Sequence, residues 1–172
     1  MQLPLPVGPV IGLLLLAPAG AMFGQAAPAG CTALPYRAFD FWVGEWTVTN
    51  PAGQEVGSNS ITTQEGGCLL REQWTDKRGG TGQSINYYDP EDERWHQIWI
   101  DPSGRPLKLT APVEQVRMAF TGKNLTGQGA WQHHKLTFTL NTDGSVRQLW
   151  ESSTDSGTTW NRVFDGLYRK RQ

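Results

Sequence analysis

The chain has 172 residues, 15 Lys plus Arg against 16 Asp plus Glu, and a formal net charge of −1. So even a balance creates no net field to draw in nucleic acid or an anionic membrane, and the length suits one domain once an N-terminal segment is set aside. Hydrophobic content is only 38%, yet there are eight Trp, so a few large aromatics must supply much of the buried area.

In chain order, no charged side chain occurs before Arg37. Residues 7–17 are apolar and small residues follow, with 19–21 and 24–26 as cleavage sites. This reads as a secretory signal over 1–26, too short for a comfortable membrane span, although its only positive charge is the amino terminus. The expected destination is the periplasm or the exterior, with no transmembrane span. Residues 27–38 read as an arm, with Pro28 and Pro35 opposing regular structure. Only Cys31 and Cys68 remain. In an oxidising compartment they are expected to form one disulfide, tying the arm to the start of the third strand. Cys31 also invites a lipoprotein reading, but Pro28 stands where that cleavage motif wants a branched apolar residue.

The barrel domain is expected over 39–170. Its first strand is predicted over 41–50, with Trp42, Gly44, Trp46 and Val48 on one face, ending at the turn Asn50-Pro51-Ala52-Gly53. Strands follow at 56–64, 68–75, 84–88 and 94–100, then two weaker ones at 106–111 and 116–121 around Pro112. A polar loop over 122–129 precedes strands at 131–140, 146–152 and 160–169. Turn residues separate most of them, among them Asp89-Pro90, Asp101-Pro102-Ser103-Gly104 and Asn141-Thr142-Asp143-Gly144. No stretch holds a helical period. The fold class is all-β: a single antiparallel up-and-down β-barrel of about ten strands, closed because a barrel removes the edges. Ser153-x-Asp155-x-Gly157-x-Thr159-Trp160 matches the Asp-box turn of propellers. Those folds repeat it in each blade, and a single copy reads as a tight hairpin.

The strand faces carry the functional signal. Leu70, Glu72 and Trp74 share one face, as do Ser84, Asn86 and Tyr88, then Trp95, Gln97 and Trp99, then Val146, Gln148 and Trp150. Each mixes a large apolar group with an amide, carboxyl or hydroxyl. A sandwich core would be aliphatic, whereas this mixture suits a cavity in which aromatics supply contact and polar groups set orientation.

The candidate acids are Glu72, Asp101 and, less well placed, Glu151. Among indoles, Glu72 would have a raised pKa and exchange protons near neutrality. No hydrolase, zinc-protease or phosphate-loop motif accompanies it, so no residue is assigned as catalytic. His133 and His134 are adjacent on a strand and point to opposite faces, so they cannot share one ion, and His96 lies opposite Trp95 and Trp99. No metal or other cofactor is assigned.

Taken together, Phe39-Asp40-Phe41-Trp42-Val43-Gly44-Glu45-Trp46, Gly67-Cys68 with Glu72-x-Trp74, and Ser84-x-Asn86-x-Tyr88-Asp89 resemble a bacterial family of exported proteins catalogued as a domain of unknown function. Trp95-x-Gln97-x-Trp99-x-Asp101, Arg147-Gln148-x-Trp150-Glu151, Asp155-x-Gly157-x-Thr159-Trp160 and Phe164-Asp165-Gly166-x-Tyr168 extend the likeness over 39–169. More remotely, Gly44-x-Trp46 looks like the first strand of lipocalins and other calycin-type barrels, including the haem-binding nitrobindins. That resemblance implies a calycin-like barrel with a basic residue, Arg162 or Arg169, over Trp46. The nitrobindin haem ligand has no counterpart, because no His lies in the last two predicted strands.

The expected function is an exported barrel binding a small apolar or aromatic molecule. Its site residues would be Trp46, Glu72, Trp74, Asn86, Tyr88, Gln97, Trp99, Gln148 and Trp150. The alternatives are an enzyme using Glu72 as acid or base, an envelope interaction module working through its outer surface, and a haem-binding barrel.

Overall fold

The computed structural model describes residues 30–171. The signal expected over 1–26 lies outside the described residues. Ten strands follow one another: β1 (Gly44–Thr49), β2 (Glu55–Gln64), β3 (Leu69–Asp76), β4 (Thr81–Asp89), β5 (Arg94–Ile100), β6 (Leu107–Pro112), β7 (Arg117–Leu125), β8 (Trp131–Leu140), β9 (Val146–Ser153) and β10 (Asn161–Lys170). Each pairs antiparallel with its neighbours in the chain, and β1 pairs with β10 to close the barrel.

Side chains alternate as a barrel wall demands. On β8, His134, Leu136 and Phe138 are buried while Lys135 and Thr137 between them are not. Asx-type turns join the strands: Asn50 Oδ1 accepts the N–H groups of Ala52 and Gln54, each at 3.0 Å, and Asp76 Oδ1 accepts that of Gly80 at 3.0 Å. The Asp-box segment is such a hairpin, with Asp155 accepting from the Thr159 backbone at 2.9 Å and Trp160 Nε1 donating to Gly157 O at 2.9 Å. The β6–β7 seam pairs at two positions only, Leu109 with Gly122 and Thr110 with Thr121. Pro112, which has no N–H to give, ends β6 there.

The N-terminal part differs from the sequence expectation. Pro35 lies in the first turn of a short helix, α1 (Leu34–Arg37), where its missing N–H costs nothing. Asp40–Trp42 then form a 3-10 turn, so Phe41 and Trp42 are not in the first strand. Gly44 makes the switch at φ 144°, a conformation that L side chains rarely adopt. The polar loop after β7 is also shorter than expected, because β7 runs on to Leu125.

This entry segment seals one end of the barrel. Phe39 and Trp42, both fully buried, stack at 4.9 Å. Around them stand Phe138, 4.6 Å from Trp42, and Phe120 and Trp95, 5.5 and 5.7 Å from Phe39. Trp46 Nε1 donates to Trp42 O at 2.9 Å, and Trp95 Nε1 donates to Pro35 O at 2.9 Å. Arg37 pairs with Asp40 and donates to Gly67 O at 3.0 Å. The Cys31–Cys68 disulfide, with Cα atoms 5.0 Å apart, ties the arm to the residue before β3. With its sulfur in that bridge, Cys31 cannot carry the thioether of a lipoprotein.

The basic residue over Trp46 is Lys170, with Nζ 5.5 Å from the ring centroid, rather than an arginine. Lys170 is directly opposite Trp46 in the β1–β10 register, whereas Arg169, one residue away, faces outward. Arg162 reaches Asp165 instead, at 3.3 Å. Among the described residues no helix is long and apolar enough to cross a membrane.

Candidate functional site

At the end away from the plug, the barrel encloses a cavity of about 350 Å³. Its rim carries Asp76, Arg78 and Val163, and its inner walls are β3, β5, β9 and β10, with single residues from β2, β6 and β8. Of the nine residues chosen from the strand faces, it brings together six: Glu72, Trp74, Gln97, Trp99, Gln148 and Trp150.

The other three point inward at a different height. Trp46 sits against Tyr168 with ring centroids 6.2 Å apart, under the plug. Tyr88 packs edge-on against Tyr36 of α1 at 4.9 Å. Asn86 lies one layer below the cavity, accepting from Gln97 Nε2 at 2.7 Å. Alternation reports which face a side chain takes, not how far along the barrel axis it lies.

The polar floor is an ordered chain of donors and acceptors. Asn86 Nδ2 donates to Leu70 O at 3.3 Å and to Ser84 Oγ at 2.9 Å. A carbonyl can only accept, so the amide nitrogen of Asn86 faces Leu70 and its oxygen faces Gln97. Gln97 must therefore give its N–H to Asn86, which leaves Gln97 Oε1 buried with no partner. Ser84, accepting from Asn86, passes its own O–H to Glu72 Oε2 at 2.6 Å. Asn59 Nδ2 donates to the other oxygen, Glu72 Oε1, at 2.7 Å. Beside them Tyr168 OH donates to Gln148 Oε1.

Burial pushes the Glu72 carboxyl up to about 7, against the pull of the Ser84 and Asn59 hydrogen bonds. Burial also raises the Tyr168 phenol well above its ordinary value, with the Glu72 charge adding to the effect. Asp101 is not part of this floor. It accepts the Ser103 N–H at 2.9 Å in the turn after β5, and the Ser103 bonds hold its pKa below the usual carboxylate range. Glu151 alternates with the inward Trp150 and Ser152 and so faces away from the cavity.

The aromatic walls stand where glycine leaves room. A Cβ on Gly82 would lie 2.1 Å from the Trp99 ring, one on Gly57 2.6 Å from Trp74, and one on Gly166 2.5 Å from Phe164. Trp150 is held differently. Its Nε1 donates to His134 Nδ1 at 3.0 Å, so the His134 proton sits on Nε2 and goes to Asn124 Oδ1, also at 3.0 Å. Burial lowers the His134 pKa, which favours this neutral form. Both nitrogens of this buried imidazole are thus engaged, leaving neither free for a haem iron. Asp89, Asp92 and His96, whose ligand atoms lie within 4.8 Å of one another, form the one described trio able to hold a metal ion. It sits on the outer wall, and His96 Nε2 is already 2.9 Å from Asp92.

Reading the sequence overlooked Phe164 and Tyr168 of β10, which join Leu107 and Leu136 in the lining. Their alternation around Gly166 was the available signal. No family model matches the chain, and no curated protein matches it.

Proposed function

We propose that the barrel is an exported binding protein that takes a small, largely apolar or aromatic molecule into this cavity, as a member of the exported bacterial family whose motifs it resembles. The observation that carries the reading is the cavity walled by Trp74, Trp99 and Trp150, with Gln97, whose buried Oε1 has no donor, among its lining residues. Leaving such an atom unpaired costs free energy that a bound donor would recover. The volume falls at the lower end of the range used by small-molecule sites. Export is supported by the apolar stretch at 7–17 and by the disulfide, a bond that persists in oxidising compartments.

The test is a titration with N-phenyl-1-naphthylamine, a neutral aromatic probe whose emission rises in apolar surroundings. One saturable site per chain is expected. Gly82→Ala, which drives the Trp99 ring into the cavity, should weaken that binding by about tenfold or more. Non-saturable binding, or equal affinity in Gly82→Ala, rejects the cavity as the site.

A second reading, an enzyme with Glu72 as acid or base, draws on the pKa near 7. It requires a turnover that disappears in Glu72→Gln while the fold survives.

A further inference from the structure

We infer that the cavity is built for an organic ammonium: a protonated amine on an apolar or aromatic body, with Glu72 as its counter-ion and Gln97 Oε1 as an acceptor for its N–H. This rests on the binding reading above and narrows it to one class of ligand.

Three features converge. The first is the direction of the hydrogen-bond chain. Asn86 donates to Ser84, Ser84 donates to Glu72, and Asn59 donates to Glu72 from the other side. In these three bonds the donation runs toward the carboxylate. Each oxygen receives one such bond, so about half of its lone-pair sites stay open. None of the ion pairs among the described residues involves Glu72. The groups facing it, Asn59 on β2, Ser84 on β4 and Tyr168 on β10, carry no positive charge.

The second feature is the sign of what is missing. Four buried side-chain atoms among the described residues lack a partner. Asp40 Oδ1 and Trp42 Nε1 belong to the plug. The other two are both acceptors: Oε1 of Gln97, a lining residue of the cavity, and Oδ1 of Asn59, the residue behind the lining that donates to Glu72. A carboxylate or phosphate would bring more acceptors into a floor already short of donors, whereas an ammonium brings up to three N–H groups.

The third feature is the wall. Trp74, Trp99, Trp150, Phe164 and Tyr168 offer aromatic surface to the same space. Aromatic faces are negative and attract a cation, most strongly when water is excluded. Arg78 stands at the rim, not the floor, with the Asp76 carboxylate close enough to feel its charge.

The experiment is calorimetry at pH 8 with three ligands sharing one body: 4-phenylbutylammonium, 4-phenylbutanol and 4-phenylbutyrate. The ammonium should bind about tenfold or more tightly than the alcohol, and the carboxylate weakest of all. Glu72→Gln should remove the preference for the ammonium over the alcohol. A second arm uses the unaltered protein between pH 8 and pH 5.5. There the ammonium should lose affinity as Glu72 takes up its proton, while the alcohol stays level, because a lysine-like amine remains charged below about pH 10. Alcohol binding equal to the ammonium, tightest binding by the carboxylate, or an ammonium affinity indifferent to pH overturns the ammonium assignment. If none of the three binds while N-phenyl-1-naphthylamine does, this assignment alone falls. If that probe also fails, the binding reading falls with it.

Discussion

At one end of the barrel Phe39 and Trp42 fill the space between the strands, and at the other Trp74, Trp99 and Trp150 leave it open. Both ends are aromatic, so composition is not what separates them. The difference lies in how the rings arrive. Phe39 and Trp42 enter from a helical segment before β1, free of strand spacing, and stack against Phe138 and Phe120 until no room remains. The rings of the open end stand on the strands themselves. Two of those indoles lie back against glycines of adjacent strands and a third is held by His134, so they line the wall instead of meeting across it.

The two ends should therefore respond differently to the same truncation. Trp42→Ala should cost about 3–5 kcal/mol in urea unfolding, the range for removing a fully buried large aromatic, while Trp99→Ala should cost less than half as much. Equal losses would break the division into a structural and an open end.

The disulfide anchors the plug alone. Replacing both Cys31 and Cys68 by Ser should lower stability by roughly 3–4 kcal/mol, from the loop closed across their separation of 37 residues. Probe binding to the variant that remains folded should stay close to that of the parent. Loss of binding without unfolding would show that the plug governs the cavity as well.

The open end carries a stability penalty that depends on pH. Glu72 has a native pKa of about 7 against a usual value of 4.5. The native state thus holds this proton more tightly than the unfolded chain. Its contribution is most favourable below about pH 4.5, falls as pH rises toward 7, and stays low above that, by about 3 kcal/mol in all. Urea titrations of the parent and Glu72→Gln at pH 5 and pH 8 should show this slope in the parent and its disappearance in the variant. A parent without that slope would mean that Glu72 is better solvated than its burial implies.

Much of the barrel was legible because strand alternation and turn chemistry are local. Asn50, Asp76, Asp143 and Asp155 each bond backbone within a few residues, and a reader of the chain meets the whole motif at once. The inward faces of β3, β5 and β9 were legible for the same reason. Trp46 and Tyr88 were grouped with Trp99 because all of them sit on inward faces. Their height along the axis depends on how each strand is staggered against the next, which involves ten segments together. Trp42 kept the alternation of β1 although it lies in a 3-10 turn, and only the conformation of Gly44 separates the two.

The sequence by itself determined an all-β chain, its turns, its one possible cysteine pair and the mixture of indoles, amides and a carboxyl facing inward, since each follows from residue type and near-neighbour spacing. Tertiary structure alone decided which end is sealed, that Lys170 and not an arginine covers Trp46, and that Gln97 Oε1 is left without a donor. These depend on strand register and on long-range partners such as Leu70 O, Asn86 and Ser84, whose order in space one strand cannot specify.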